Sequence, residues 1–274
     1  MSSGLFPNKL NLLDSFGSLA PHGATNGKLS VMQLKKSFPA VSVLAAVLLL
    51  AGCAAVGPTD DPFMRSLTWE RYVGGDDIDR ACQAGQPERY RLVYNAIEEE
   101  QRRTYDLSAM VDGGAMLEVQ VIGRPALNDP KNPISVRDPL APWRGQRAMY
   151  RLNATEYAAL KQAIGATGFE TPAPEGLFLR GDGFYWTASA CRDGRFHFHA
   201  WASPSAEFDR MAVPLLEALQ PYDKTGVEVR RPYEVPLPPY SVYLNAYDRD
   251  GIRSVPHRFQ VHGNGLRYSQ GTIN

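Results

Sequence analysis

Few side chains in this sequence stand at spacings that chemistry needs, and the clearest are His197 and His199. They end the stretch Gly183 to Trp201 (GFYWTASACRDGRFHFHAW). Two histidines two apart on a strand point the same way. Such a pair can give two ligands to a zinc-like ion, with Cys191 diagonally across as a third. No carboxylate accompanies them on that face, and Cys191 cannot be ligand or nucleophile and disulfide partner at once. The sequence contains no G-x-S-x-G, no H-E-x-x-H, no Walker A and no G-x-G-x-x-G. Gly181-Asp182-Gly183 reads as a turn rather than a phosphate cradle, and His257 and His262 are assigned no role. No catalytic residue, metal or cofactor is therefore expected. Tyr185, His197, His199 and Trp201 remain as a candidate binding face, because aromatics with polar tips anchor interfaces.

Positioning these residues requires a hairpin around Arg192-Asp193-Gly194. A two-residue turn sets Arg192 opposite Arg195 and pairs Ala190 with His197. A three-residue turn with Gly194 left-handed pairs Ala190 with Phe196, gathering Phe184, Trp186, Ala188, Ala190, Phe196 and Phe198 on one face. Burial of that face favours the second register. The opposite face then presents Tyr185, Thr187, Ser189, Cys191, Arg195, His197, His199 and Trp201.

Around this hairpin, Pro87 to Arg103 reads as a helix, with Tyr90, Val93, Tyr94 and Ile97 inward and Glu98–Arg102 and Glu99–Arg103 pairs outward. Tyr105–Val111 and Ala115–Ile122 flank Asp112-Gly113-Gly114 as a second hairpin. Five prolines make Gly123 to Gly145 a long irregular loop. Gln146 to Leu152 reads as a strand, and Asn153 with Glu156 starts a helix through Ile164. Ser203-Pro204 caps a helix with Phe208, Met211, Leu215 and Leu219 on one stripe, kinked or split at Pro214. Beyond Gln220 the chain is proline-rich, with Ser241 to Tyr247 as one edge strand and a loose end after His262. The expected class is α+β, a mostly antiparallel sheet with helices packed on one face in two layers.

The address is more specific. Phe38 to Leu50 (FPAVSVLAAVLLL) is the one long apolar run, too short to span a bilayer and preceded by Lys35 and Lys36. Leu50-Ala51-Gly52-Cys53 follows at once and resembles the lipobox of bacterial lipoproteins. That resemblance covers the N-terminus only. It implies lipid (diacylglycerol, palmitate) on Cys53, cleavage before it, and an envelope location facing the periplasm. Ala54 after the cysteine implies outer-membrane sorting in two-membrane cells. The alternative is an ordinary signal peptide with Cys53 incidental.

The expected organisation is then a disordered, over-extended start over 1–31 ahead of Met32, and a signal peptide over 32–52. A tether over 53–80, an α+β domain over 81–222 and a Pro-rich C-terminal extension over 223–274 complete it. Cys82 and Cys191 remain in the mature chain, an even pair that reads most simply as a disulfide in an oxidising compartment, free thiols being the alternative.

The whole chain of 274 residues balances 29 basic against 29 acidic side chains, which gives a nucleic-acid partner no electrostatic footprint. Cutting before Cys53 leaves 25 basic and 28 acidic residues, so the lipid rather than charge would hold the chain to a membrane. The leading functional expectation is a non-catalytic envelope accessory or protein-binding module with a protein or cell-wall partner. The rivals are a lipid-tethered small-ligand or metal binder using His197 and His199, and a periplasmic hydrolase.

Overall fold

A computed structural model describes residues 61–98, 100–123, 136–137, 139–232 and 257–268. The apolar run, Cys53, most of the 123–145 loop and the expected strand at 241–247 lie outside the described residues. In chain order the elements begin with α1 (Pro62–Gly74), α2 (Asp76–Ala81), β1 (Arg89–Ala96), β2 (Gln101–Ala109) and β3 (Ala115–Gly123). Then come α3 (Ala141–Arg144), β4 (Gln146–Leu152), α4 (Ala154–Ala166), β5 (Phe178–Arg180), β6 (Phe184–Arg192) and β7 (Arg195–Ala202). The last are α5 (Ala206–Leu219), a 3-10 turn at Gln220–Tyr222, β8 (Arg258–Val261) and β9 (Leu266–Tyr268). The class is α+β. β1 to β4 form a meander, and the β6–β7 hairpin docks on the free edge of β1, giving an antiparallel sheet ordered β4-β3-β2-β1-β6-β7.

One face of this sheet carries the larger core. Tyr90, Leu92, Tyr94, Tyr105, Leu107, Leu117, Val119 and Trp186 pack there beneath α4 and α5. α4 starts at a reciprocal cap. The Asn153 side chain accepts from Glu156 N at 3.0 Å, while Glu156 accepts from Asn153 N at 2.8 Å. Ser205, two residues beyond the expected cap, starts α5 by accepting from Phe208 N at 3.1 Å. α5 runs unbroken through Pro214, whose ring is exposed.

The opposite face is covered as well, so the two-layer expectation describes only half of the packing. α1 lays Trp69, Tyr72 and Val73 against Val93, Tyr185, Phe198 and Ala200, and a second sheet ordered β5-β8-β9 adds Leu179, Phe259 and Val261. Residues 62–81, expected within a tether, therefore belong to the folded core. Gly75 makes the corner between α1 and α2 at φ 79°, where a Cβ would stand 2.4 Å from that of Ser189. The segment after Gln220 is likewise held. Tyr94 donates to the Arg230 carbonyl at 2.8 Å, and the buried Arg103 reaches Asp223 and the Glu228 carbonyl.

Two local expectations are corrected. Pro87 to Arg103 is not a helix but β1, a turn and β2. Tyr90, Leu92 and Tyr94 face one core while Arg91, Val93 and Asn95 face the other, so both sides of the strand are buried and no alternation shows. Ile97 takes φ 61° at the turn, a strained position for a β-branched residue that its burial holds in place. Second, β6 and β7 adopt the two-residue turn. Ala190 pairs with His197 and Arg192 with Arg195, with Asp193 at φ 50° and Gly194 at φ 71°. The repulsion between the two arginines is relieved because Arg192 turns to Glu170 and Glu88.

Candidate functional site

The observed register separates the expected binding face. His197, His199 and Trp201 project with Trp186, Ala188 and Ala190 onto the α4/α5 side, while Tyr185 and Cys191 project to the other. His199 places Nδ1 2.7 Å from the Thr171 carbonyl and its ring 4.4 Å from that of Trp201. His197 meets the edge of Phe169 at 6.2 Å. Tyr185 is buried beside Trp69. Desolvation first, then the nearby Glu98 charge, push its hydroxyl well above the ordinary tyrosine range. Cys191 is joined to Cys82 in a disulfide with a Cα separation of 5.4 Å, so it is neither a ligand nor a nucleophile in this state. Among the described residues no three His, Cys, Asp or Glu side chains converge as a metal site.

Sequence reasoning paired Glu98 with Arg102, as the outward face of a helix, but did not find the three charged clusters that the structure assembles. The largest lies under α1 and α2. The buried Arg91 guanidinium meets Asp77 at 2.6 and 3.0 Å, Asp106 at 2.9 Å and the Tyr72 carbonyl at 3.1 Å. Its Cζ stands 3.7 Å over the Tyr72 ring, whose hydroxyl donates to Asp106. Burial pushes the Asp77 carboxyl up, but the hydrogen bonds and charge of Arg91, with Arg89 behind them, hold it below the usual carboxylate range. In the second cluster, Glu98 pairs with His257, accepts from its backbone N–H at 2.9 Å and takes Arg102 at 3.1 Å. Burial again opposes ionisation of Glu98, and His257 and Arg102 overcome it. In the third, Glu88 accepts from Lys161 at 2.9 Å and from the Tyr157 hydroxyl at 3.1 Å, and is held low despite its own partial burial.

A general acid or base works best with a pKa near the operating pH. These three carboxylates are shifted the other way, and each ties one element to another. Glu98 anchors β8 to the β1–β2 turn, Glu88 ties α4 to the start of β1, and Asp77 ties α2 to the sheet. Their signal in the sequence is faint: Arg91 inside an apolar strand run is the one residue out of place. Among the described residues two carboxyls are raised, Glu70 and Asp76, each chiefly by partial burial. Asp76 borders an open, polar cleft with Asp79, Arg71, Arg80, His262 and Arg267, where charges of both signs offset one another.

Two surface features are better suited to binding. A cleft of about 260 Å³ opens beside the disulfide, with Ile78 and Ala81 of α2 on one wall and Ser108 and Ala109 of β2 on another. Gln86, Pro87 and Glu88 form its rim. Separately, Phe63, Met64 and Leu67 of α1 point to solvent. Compared with protein-family models, curated proteins and solved structures, the chain matches none, so its function rests on its own residues.

Proposed function

We propose that the chain is a bacterial lipoprotein, anchored through Cys53 and facing the periplasm, that acts as a non-catalytic binding module in the cell envelope. The observation that carries this reading is the order of Lys35-Lys36, the apolar run Phe38 to Leu50, and Leu50-Ala51-Gly52-Cys53. The Cys82–Cys191 disulfide supports it, because such bonds persist in oxidising compartments. For the partner, size is informative. Small-molecule pockets typically run from about 300 to 1,000 Å³. The cleft at the disulfide, about 260 Å³, lies just below that range and the polar cleft at Asp76, about 620 Å³, within it. The first has the apolar walls, Ile78, Ala81 and Ala109, that suit an anchoring side chain from a protein partner.

A photo-crosslinking residue at Gln86 in intact cells tests this. The expected result is one dominant envelope protein captured, lost when Ala81→Trp fills the cleft from its exposed wall and lost when Cys53→Ser removes the anchor. Lipidated protein that captures nothing from Gln86, or captures equally in Ala81→Trp, contradicts the reading.

A further inference from the structure

α1 has its amphipathicity reversed in the first two turns. Arg65 is buried and donates from Nη2 to the Trp143 carbonyl at 2.5 Å, while Phe63 is 69% and Leu67 62% exposed. Phe63 and Leu67 stand four residues apart, one above the other on the outward face, with Met64 beside them. Isolated exposed apolar residues are ordinary, but a cluster marks a contact surface. Eight large apolar side chains are conspicuously exposed among the described residues, and three of them fall within these five positions. A fourth, Tyr268 of β9, sits one turn further along, its backbone N–H donating to Glu70. Arg71 follows Leu67 on the same face, exposed.

The position of this stripe in the chain says what covers it. Asp61, the cap of α1, is eight residues after Cys53, a span of at most about 29 Å when fully extended. A helix whose cap is tied that closely to a lipid is kept within about 29 Å of the bilayer, and its apolar stripe begins two residues past the tether. Side chains of interfacial helices reach about 5–10 Å into the headgroup and acyl boundary. We infer that Phe63, Met64 and Leu67 of α1 dock on the surface of the membrane that holds Cys53, with Arg71 at the phosphate level. This fixes the domain's orientation and turns the β2–β3 turn away. Arg65 ties the start of α1 to α3, next to the Val121 end of β3, whereas Val111 lies beyond the Ala115 end. The inference rests on the lipoprotein reading.

Because the Cys53 thiol would carry lipid and Cys82 and Cys191 are bridged, an introduced cysteine is the one reactive thiol in the mature chain. Full-length mature protein with Phe63→Cys, Leu67→Cys or Val111→Cys is labelled with an environment-sensitive fluorophore. Each is then placed in phosphatidylethanolamine–phosphatidylglycerol vesicles containing brominated acyl chains. The expected result is blue-shifted emission with most of it quenched at positions 63 and 67, and neither at 111. Adding Phe63→Asp to Leu67→Cys should restore most of the lost emission. Water-like emission at 63 and 67 overturns the docking. So does a blue shift that bromine leaves unquenched, since a chain segment or a second copy then covers the stripe. The intact mass of the same sample reports the lipid separately. If Cys53 carries none, the anchor reading fails, and quenching on added vesicles still decides whether the stripe binds a membrane.

Discussion

Replacing Arg91 with methionine keeps most of the apolar stem and removes the more buried of the two arginines that Asp77 and Asp106 share. Arg91 is 2% exposed, and it holds Asp77 through two hydrogen bonds and Asp106 through one. Removing one partner of a buried ion pair costs about 3–5 kcal/mol, because the charge left behind stays buried and unpaired. Arg89 remains 3.0 Å from Asp77 and 3.5 Å from Asp106, but it is partly exposed and compensates only in part. The lower end, about 3 kcal/mol, is therefore expected, equivalent to roughly 6–12 °C in Tm for a domain of this size. The pH dependence carries the sharper test. In the wild type Asp77 is held below its unfolded value, so it adds stability that is present above about pH 4 and lost as pH falls through the folded value. In Arg91→Met burial acts with far less opposition, the Asp77 carboxyl rises, and the loss of stability should narrow on acidification. Urea unfolding followed by tryptophan fluorescence near neutrality and near pH 4 measures both. Asp77→Asn combined with Arg91→Met should recover part of the loss, since only Asp106 is then left as a carboxylate without Arg91. A loss under about 1 kcal/mol, or the same loss at both pH values, refutes the assignment of Arg91 as the neutralising charge.

Other consequences are as direct. Trp69→Ala should cost about 3–5 kcal/mol in urea unfolding, because Trp69 is among the largest fully buried side chains; a tether residue would cost nothing. Reduction of Cys82–Cys191, 109 residues apart, should remove about 5 kcal/mol in the chain-entropy model, read as a lower urea midpoint with reductant. Glu98→Gln should loosen β8 and β9, seen as faster proteolysis within 257–268. It should also flatten the acid limb of the stability curve, because Glu98 is held below its unfolded value and its contribution is lost as pH falls through the folded one.

What could be read from the sequence was set by how many faces each element buries. β4 has one side open, so Gln146 to Leu152 alternates and its limits are plain. The α4 cap is equally local, written in Asn153 and Glu156. β1 and β6 are buried on both faces, and there period 2 vanishes. The Tyr90, Val93, Tyr94 spacing then mimics a helix, and counting apolar residues on one face of the β6–β7 hairpin selects the wrong register. The turn residues carried the better signal, since Asp193-Gly194 suits a two-residue hairpin. α1 was hidden for the opposite reason. In its first two turns the inward residue is Arg65 and the outward ones are Phe63 and Leu67, which inverts there the pattern that announces a surface helix. The charged clusters depend on partners far apart in sequence, such as Arg91 with Asp77 and Glu98 with His257, which no local pattern reports.

The most direct test of the central claim is the native mass of membrane-extracted protein, non-reduced and without chelator. The expected mass is that of Cys53 to Asn274 plus the lipid, two hydrogens short for the disulfide and with no bound ion. A mass beginning at Met1 or Ala54, or a chain without lipid, contradicts the anchor. A bound ion that His197→Ala and His199→Ala abolish would restore the metal site that the observed register argues against.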